Sequence, residues 1–137
     1  MSKSIMVIDT NVFISAHLIE NSISAKVFDK ILQNYTIAIS EPLLHEYEEV
    51  LYRKKLDKYL SVDKRLAVMR LIRTNAMIFD PSVRITECRD HKDNIVLELA
   101  ITCNATCIIS GDSDLKDLHP FRSIPILHGR EFLALFE

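Results

Sequence analysis

Short apolar runs alternate with longer helical patterns along this chain of 137 residues. Ile5 to Ile8, for example, is a run of four apolar residues between polar neighbours, which is typical of a buried strand. Between such runs, apolar residues recur at intervals of three or four positions, which predicts helices with one buried face. Strands that alternate with helices indicate right-handed crossovers and hence a parallel sheet with helices on both faces.

The predicted strands span residues 5–8, 36–39, 76–79, 106–110 and 123–127, and the predicted helices span residues 22–34, 41–55, 62–75, 93–103, 113–118 and 130–136. We therefore predict a single domain over residues 1–137 with an α/β fold. Its architecture should be a three-layer α/β/α sandwich around a four- to five-stranded, mainly parallel sheet. In open sheets of this kind, ligands bind beyond the carboxyl ends of the strands.

Composition narrows the class of protein without indicating a partner. Apolar residues make up 48% of the chain and charged residues 26%, as in ordinary globular proteins. No stretch approaches the ~18 apolar residues of a membrane span, and the first residues lack the apolar core of a signal peptide. Cys88, Cys103 and Cys107 cannot all pair with one another, so we expect reduced thiols in a cytoplasmic protein.

Charge is distributed unevenly along the chain. Residues 53–73, called the basic segment below, carry a net charge of +6, against −8 for the rest of the chain. Its cations are Arg53, Lys54, Lys55, Lys58, Lys64, Arg65, Arg70 and Arg73. Such a segment either attracts phosphates or simply forms solvated helices, and the charge alone does not decide between these interpretations.

Two carboxylates are predicted to lie at the same edge of the sheet. Asp9 directly follows the first predicted strand, and Asp112 follows the fourth, separated from it by Gly111. Because the carboxyl ends of parallel strands meet at one edge, both residues would face a ligand site there. Either residue alone could be an ordinary turn or capping residue, but the pair favours a site.

Helical geometry adds further acids near this edge and leaves alternatives open. Glu46 and Glu48 lie on the two flanks of the apolar face of their helix, and periodicity does not choose between them. Asp93 shares a face with apolar residues in a first turn, so it either points into a site or stabilises the helix end. In the second case, Asp90 would cap that helix. Asp114 also lies in a first turn, where helix-end stabilisation is the default.

Convergence of these acids would call for a cation. Two carboxylates about 5 Å apart repel by roughly 3 kcal/mol at an effective dielectric constant of about 20. Several such pairs stay ionised only if a hard cation neutralises them; otherwise some of them bind protons. All-oxygen ligation without a convergent His or Cys favours Mg²⁺ or Mn²⁺ over Zn²⁺, and acid-bound Mg²⁺ suits phosphate chemistry.

Four acidic motifs, in order along the chain, resemble those of the PIN-domain nucleases. The motifs are Val7-Ile-Asp9-Thr-Asn-Val12, Leu43-Leu-His-Glu46-Tyr-Glu-Glu-Val-Leu51, Asp90-His-Lys-Asp93-Asn-Ile-Val-Leu97 and Ile109-Ser-Gly-Asp112-Ser-Asp-Leu115. The resemblance extends to the last predicted strand and helix, so it covers essentially the whole chain. Each motif is weak by itself, but four in order at the expected elements are specific.

The resemblance implies cleavage of phosphodiester bonds that depends on Mg²⁺ or Mn²⁺, usually in RNA. It assigns the catalytic and metal-binding roles to Asp9, Glu46, Asp93 and Asp112. It thereby favours Glu46 over Glu48, and it makes Asp114 a candidate fifth acid. The nearest variety is the group of bacterial and archaeal toxins of toxin–antitoxin pairs. A small antitoxin protein and a homodimer or higher homo-oligomer are the partners that this variety implies.

The resemblance also extends to polar residues around the acids. Thr10 and Asn11 match polar residues of the family that would orient Asp9 or bound water, and Ser110 matches a Ser or Thr before the Gly-Asp pair. His128 stands where a Ser or Thr would be expected to cap the last helix, which leaves that cap open.

Two alternatives come from other classes of protein. The first is a catalytically inactive PIN-like module that binds RNA or protein; a cleavage assay separates it from a nuclease. The second is a phosphatase with Asp9 as nucleophile, but the second acid of that pattern is replaced here by Asn11. The histidines are scattered, which argues against Ser/His/Asp or Cys/His catalysis, and we expect them to be surface or capping residues. They are His17, His45, His91, His119 and His128.

Overall fold

The computed structural model describes residues 3–88, 90 and 92–136. The strands are β1 (Ile5–Ile8), β2 (Thr36–Ile39), β3 (Met77–Ile78), β4 (Cys107–Ile109) and β5 (Ile126–Leu127). The helices are α1 (Thr10–Leu18), α2 (Ile23–Asn34), α3 (Glu41–Leu51), α4 (Val62–Asn75), α5 (Asp93–Thr102), α6 (Ser113–Lys116) and α7 (Gly129–Leu135), and a 3-10 turn covers Lys54–Leu56.

The five strands form one parallel sheet in the order β3-β2-β1-β4-β5. In the centre, Val7 of β1 lies opposite Ile108 of β4, and Met6 lies opposite Ile37 of β2. All of β4 and most of β1 and β2 are buried, which requires helices on both faces of the sheet. The predicted three-layer α/β/α sandwich is therefore confirmed. In the part of the chain that the structure describes, no helix combines the length and apolar character needed to cross a membrane.

One observed helix was not predicted, and two predicted elements are shorter than expected. The sequence pattern missed α1, which begins directly after Asp9. The helix predicted to reach residue 55 ends at Leu51, because the chain turns to extended backbone at Arg53 before the 3-10 turn. The last strand is shorter than residues 123–127 because Arg122 and Ser123 have positive φ values of 47° and 73°, which break an extended run.

Two histidines have distinct structural roles. His128 caps α7, because its side chain accepts the Glu131 backbone N–H. The Glu131 side chain accepts the His128 backbone N–H, and the two hydrogen bonds form a capping box. His17 contradicts the expectation of a surface or capping residue, because its ring packs edge-on against Phe13 and Phe28. Burial lowers the pKa of His17 to about 4, with a further contribution from the Lys64 charge.

One cation of the basic segment belongs to the core. The Arg65 side chain is only 6% exposed, and its Nε donates to the Leu51 carbonyl at 2.9 Å. It also forms an ion pair with Asp57 at 3.1 Å. Arg65 thus holds α4 against the end of α3 and is unavailable to a ligand at the surface.

Candidate active site

The site lies where the strand order changes direction. From β1 the chain proceeds to β2 on one side, whereas β4 pairs with β1 on the other side. Ligands of open parallel sheets bind beyond the carboxyl ends of strands at such a point. The Asp9 N–H donates to the Ile109 carbonyl at 2.9 Å, so Asp9 is held directly at the carboxyl end of β4.

Ser110 connects the two acids that follow β1 and β4. Its hydroxyl donates to Asp9 Oδ2 at 2.7 Å and accepts the Asp112 N–H at 3.0 Å. The other Asp9 oxygen accepts the Thr10 N–H at 2.8 Å, which caps α1. Asp112 in turn caps α6 by accepting the N–H of Asp114 at 2.8 Å. Asp9 and Asp112 are therefore helix caps that also line the cleft at the carboxyl edge of the sheet.

Glu46 and Glu48 point to different surroundings. Glu46 is half-buried in the cleft beside Asp9, whereas Glu48 pairs with Arg73 at 3.1 Å on the outer surface. The intervening Tyr47 is fully buried, stacks on Phe13 at 4.0 Å between ring centroids and donates its hydroxyl to the Ile8 carbonyl. Since Ile8 immediately precedes Asp9, this anchor fixes the position of Glu46 relative to the end of β1.

The start of α5 contributes two carboxylates. Asp93 is buried, whereas Asp90 is exposed, and each offers an oxygen within 4.8 Å of the other and of an Asp112 oxygen. Asn94 holds the preceding loop: its amide accepts the Cys88 N–H at 3.0 Å and donates to the Cys88 carbonyl at 3.3 Å. Sequence reasoning treated Asp90 only as a helix cap, and the Asp-x-x-Asp spacing with Asp93 was the sign that it could share the site.

A single cleft of about 140 Å³ joins these residues at the carboxyl edge of the sheet. It is lined by Asp9, Thr10, Asn11, Glu46, Val50, Arg53, Asp90, Lys92, Asp93 and Asp112. Ser110 lies beneath it, and Asp114 is not among the described residues that line it. A larger cavity of about 360 Å³ between residues 81–86 and α5 has Glu98 as the one carboxylate among its described lining residues, so the acids gather in the smaller cleft.

Burial and mutual repulsion raise the pKa values of three acids in the cleft. Burial raises the pKa of Asp9 to about 6, with repulsion from Asp112 added, although the Ser110 hydrogen bond acts in the opposite direction. Burial also raises the pKa of Asp93 to about 7, and Asp9 and Asp112 contribute repulsion. The pKa of Glu46 is raised as well, mainly by burial. Such shifts are typical of functional sites, because an isolated fold gains nothing from burying repelling charges.

The donor set fits a hard divalent cation. Asp90, Asp93 and Asp112 supply carboxylate oxygens at mutual distances that one ion could bridge. The Cys88 thiol donates to Asp93 Oδ2 at 3.7 Å, and it is not part of this group of three carboxylates. Thr10 Oγ1 is buried in the same cleft, where its hydroxyl interacts with the Glu46 carboxylate and counteracts part of the rise in the pKa of Glu46.

Comparison with solved structures identifies the fold. VapBC2 from Rickettsia felis, whose crystal structure contains a DNA fragment from its promoter, has a TM-score of 0.60 at 16% identity, covering 90% of this chain and 98% of the matched chain. A domain of a functionally unknown protein from Methanocaldococcus jannaschii has a TM-score of 0.57 at 16% identity, with coverage of 91% and 90%.

Sequence comparison identifies the family. An uncharacterized protein of Methanocaldococcus jannaschii is 33% identical over 142 aligned positions, which cover 96% of this chain and 91% of the relative. A family model described as the PIN domain matches residues 6–114, a range that contains Asp9, Glu46, Asp93 and Asp112. The chain belongs to the PIN-domain family.

Proposed function

We propose that this protein is a Mg²⁺- or Mn²⁺-dependent endoribonuclease that hydrolyses phosphodiester bonds in RNA. The carrying observation is the cleft in which Asp9, Glu46, Asp93 and Asp112 meet, together with the raised pKa values of three of them. PIN domains are in general metal-dependent nucleases, so membership of the family supports the same assignment.

The cleft acids divide into two groups by their surroundings. Asp90, Asp93 and Asp112 would hold the ion, and Asp9 and Glu46 complete the acidic wall. A bound Mg²⁺ or Mn²⁺ supplies an activated water and neutralises charge that develops on the phosphoryl oxygens. Glu46, with its raised pKa and an open side towards the cleft, is placed to accept a proton from a water at its carboxylate. Thr10 Oγ1 would orient that water, and Asn11 lies beside it at the rim.

Two cations lie at the rim of the acidic cleft. Arg53 and Lys92 both line it, and Arg53 keeps an exposed ion pair with Glu49 at 3.3 Å. An exposed pair of this kind is worth little, so a phosphate can replace Glu49 as the partner of Arg53. The two side chains would therefore bind the phosphates of an RNA strand that crosses the cleft.

We further propose that the protein is the toxin of a toxin–antitoxin pair and that a small antitoxin inhibits it. The fold likeness to the VapBC2 structure supports this assignment. The proposed reaction takes place in the cytoplasm, where the buried free thiols of Cys88, Cys103 and Cys107 would stay reduced.

Self-association is also proposed. Val62 and Leu66, one turn apart on α4, are 63% and 51% exposed and offer an apolar surface. Sedimentation experiments can test whether two copies associate.

A pair of neighbouring glutamates on α3 provides the test of the enzyme. The purified protein, free of any antitoxin, is incubated with single-stranded and hairpin RNAs in Mn²⁺, and parallel samples receive EDTA. We expect cleavage that EDTA abolishes and that Glu46→Gln removes. The matched control, Glu48→Gln, makes the same chemical change two residues away outside the cleft, so it should retain cleavage.

Calorimetric titration with Mn²⁺ distinguishes the two remaining outcomes. A protein that binds Mn²⁺ but cleaves no RNA in a broad panel is the inactive binding module, and the proposed activity is then wrong. Cleavage that persists in Glu46→Gln and is lost in Glu48→Gln would move the function to the opposite flank of α3.

A further inference from the structure

A second groove adjoins the acidic cleft on the side of α1 and α2. Its volume is about 270 Å³, and it is lined by Asn11, Val12, Ser15, Ser24, Gly111 and Asp112. Asn11 and Asp112 also line the acidic cleft, so the two depressions adjoin at these residues. A ligand with one phosphate over the acids could therefore extend into this groove.

The two glycines of the chain are there for different reasons. A Cβ at Gly129 would meet Ile23 Cγ2 at 2.8 Å, so close packing between α7 and α2 explains that glycine. A Cβ at Gly111 would meet nothing within 4 Å, and neither glycine has a positive φ. Neither packing nor backbone conformation therefore requires Gly111, and the space that a side chain would occupy there opens into the groove.

The groove is lined mainly by uncharged polar side chains, which can form hydrogen bonds with the sugar and phosphate oxygens of a nucleic-acid strand. Asn11, Ser15 and Ser24 offer uncharged polar atoms, and their side chains make no hydrogen bond within the described part of the chain. Asp112, shared with the acidic cleft, is the one acidic residue among the described groove residues. No aromatic ring lines the groove, so among its described residues there is no platform on which a base could stack.

We propose that this groove binds the ribose–phosphate unit next to the scissile phosphate of a single-stranded RNA, with Gly111 leaving room for it. The inference rests on the proposed nuclease function and adds a substrate subsite to it. The volume lies just below the ~300 Å³ of the smallest ordinary ligand pockets, which suits one sugar–phosphate unit and excludes a base pair. The amide of Asn11 and the hydroxyls of Ser15 and Ser24 are the hydrogen-bonding groups for its oxygens.

The substitution Gly111→Leu tests the subsite because Gly111 lines the groove and a Cβ there would meet nothing within 4 Å. The measurements are kcat and KM for a fluorescent single-stranded RNA in Mn²⁺, the Mn²⁺ affinity by calorimetry, and the Tm. We expect KM to rise about tenfold or more, while Mn²⁺ affinity stays within about twofold and Tm within about 2 °C. Ala134→Leu, which adds the same side chain at an exposed position of α7, is the control and should leave KM unchanged.

A second variant, Ser15→Ala combined with Ser24→Ala, removes the two hydroxyls without filling the groove. We expect KM to rise several-fold, with unchanged Mn²⁺ affinity. Equal KM values for the parent, Gly111→Leu and the double variant would overturn the subsite while the nuclease assignment stands. A rise in KM that is matched by loss of Mn²⁺ affinity would overturn it too, since the effect would then come through Asp112. If the parent protein cleaves no RNA at all, the proposed function fails and this inference fails with it.

Discussion

Two residues of the acidic cleft, Asp9 and Asp93, are buried and are also repelled by neighbouring carboxylates. Asp9 and Asp93 are 5% and 7% exposed, and each faces other carboxylates across the cleft. The pKa of each is raised, to about 6 and about 7, so each destabilises the folded protein when it is ionised. A cation that binds the cluster removes this repulsion, which links stability, pH and metal binding at the same residues.

The variant Asp9→Asn should melt higher than the parent in EDTA, because it removes one buried charge while keeping the shape of the side chain. The expected gain is about 1–2 kcal/mol, or a few degrees in Tm. The same variant should show a smaller increase of Tm on adding Mg²⁺ and no RNA cleavage. Differential scanning calorimetry of both proteins with and without Mg²⁺ measures these effects. A lower Tm in EDTA with an unchanged Mg²⁺ response would make Asp9 only a structural cap of α1.

The stability of the metal-free protein should depend on pH, because the pKa values of Asp9 and Asp93 are both raised. Because Asp9 and Asp93 bind protons more tightly in the folded state than in the unfolded chain, their contribution to stability should rise as pH falls from 8 through about 7 and 6, and it should level off near the ordinary pKa of about 4. His17, whose pKa is lowered to about 4, acts in the opposite direction below about pH 6.5, so the comparison with Asp93→Asn isolates the acids. We expect about 2–4 kcal/mol in total for the coupled acids. Urea unfolding in EDTA at pH 8 and pH 5.5 measures it. Asp93→Asn should show a smaller rise, and an identical rise would exclude Asp93 as a source.

At this scale the sequence predicted which carboxylates meet but not every member of the group. Asp9 and Asp112 could be placed because each follows a strand, and this requires no knowledge of side-chain directions. The choice of Glu46 over Glu48 needed the family resemblance, because both flank the same apolar face. Asp90 was missed because its place before α5 equally suited a helix cap, and only the path of the loop from Cys88 brings its carboxylate to Asp93.

Elements of secondary structure are recognised from one-sided burial, and α1 lacks this pattern. Val12, Phe13 and Ile14 are consecutive and all buried, so the apolar residues cover more than one side of the helix. Periodicity predicts a helix only when one face is polar, which explains why α1 was missed. The end of α3 was placed too late because residues 52–55 contain no Gly or Pro to signal it, and the polar run from Arg53 continues to suit a helix.

The contact between α5 and the preceding loop can be tested through Asn94. Asn94→Ala leaves the buried Cys88 N–H and carbonyl without partners, so we expect a loss of about 1–3 kcal/mol in urea unfolding. Mn²⁺ affinity should fall as well, because Asp90 is attached to the loop that this contact holds. Asn75→Ala removes an amide on the exposed end of α4 and should change neither quantity by a comparable amount. Unchanged Mn²⁺ affinity in Asn94→Ala would exclude Asp90 as a ligand that the loop positions.

At the scale of the whole molecule, the uneven distribution of charge favours binding of a polyanion beside the basic segment. The basic segment begins with Arg53 at the rim of the acidic cleft, while the remainder of the chain is acidic. The fold class was predictable because it depends on the alternation of elements, not on single contacts. The surface available to a ligand was less predictable: Arg65 looks like any other cation of the segment until its burial is known.

Neutralising Lys54, Lys55 and Lys64 together to Gln should weaken RNA binding at low salt and flatten the dependence of log K on log salt. Each phosphate contact that is lost lowers the slope by about 1. Fluorescence anisotropy of a labelled RNA in a salt series measures the slope, and calorimetry should show unchanged Mn²⁺ affinity. The control replaces Lys3, Lys26 and Lys30, which lie outside the segment, and so removes the same total charge. Equal slopes for the two triple variants would contradict the predicted phosphate contacts, and the basic segment would then be only a solvated surface.

Because β1 pairs in parallel with β4, both halves of the chain contribute residues to the acidic cleft. Asp9 and Glu46 precede the exposed stretch Ser82–Arg84, whereas Asp90, Asp93 and Asp112 follow it. A break in that stretch would yield two pieces, each holding an incomplete set of acids. Fusing the pieces to two proteins that bind each other would restore the set only when those proteins associate, so the proposed RNA cleavage would report their association. The topology thus allows the acidic set to be divided between two polypeptides.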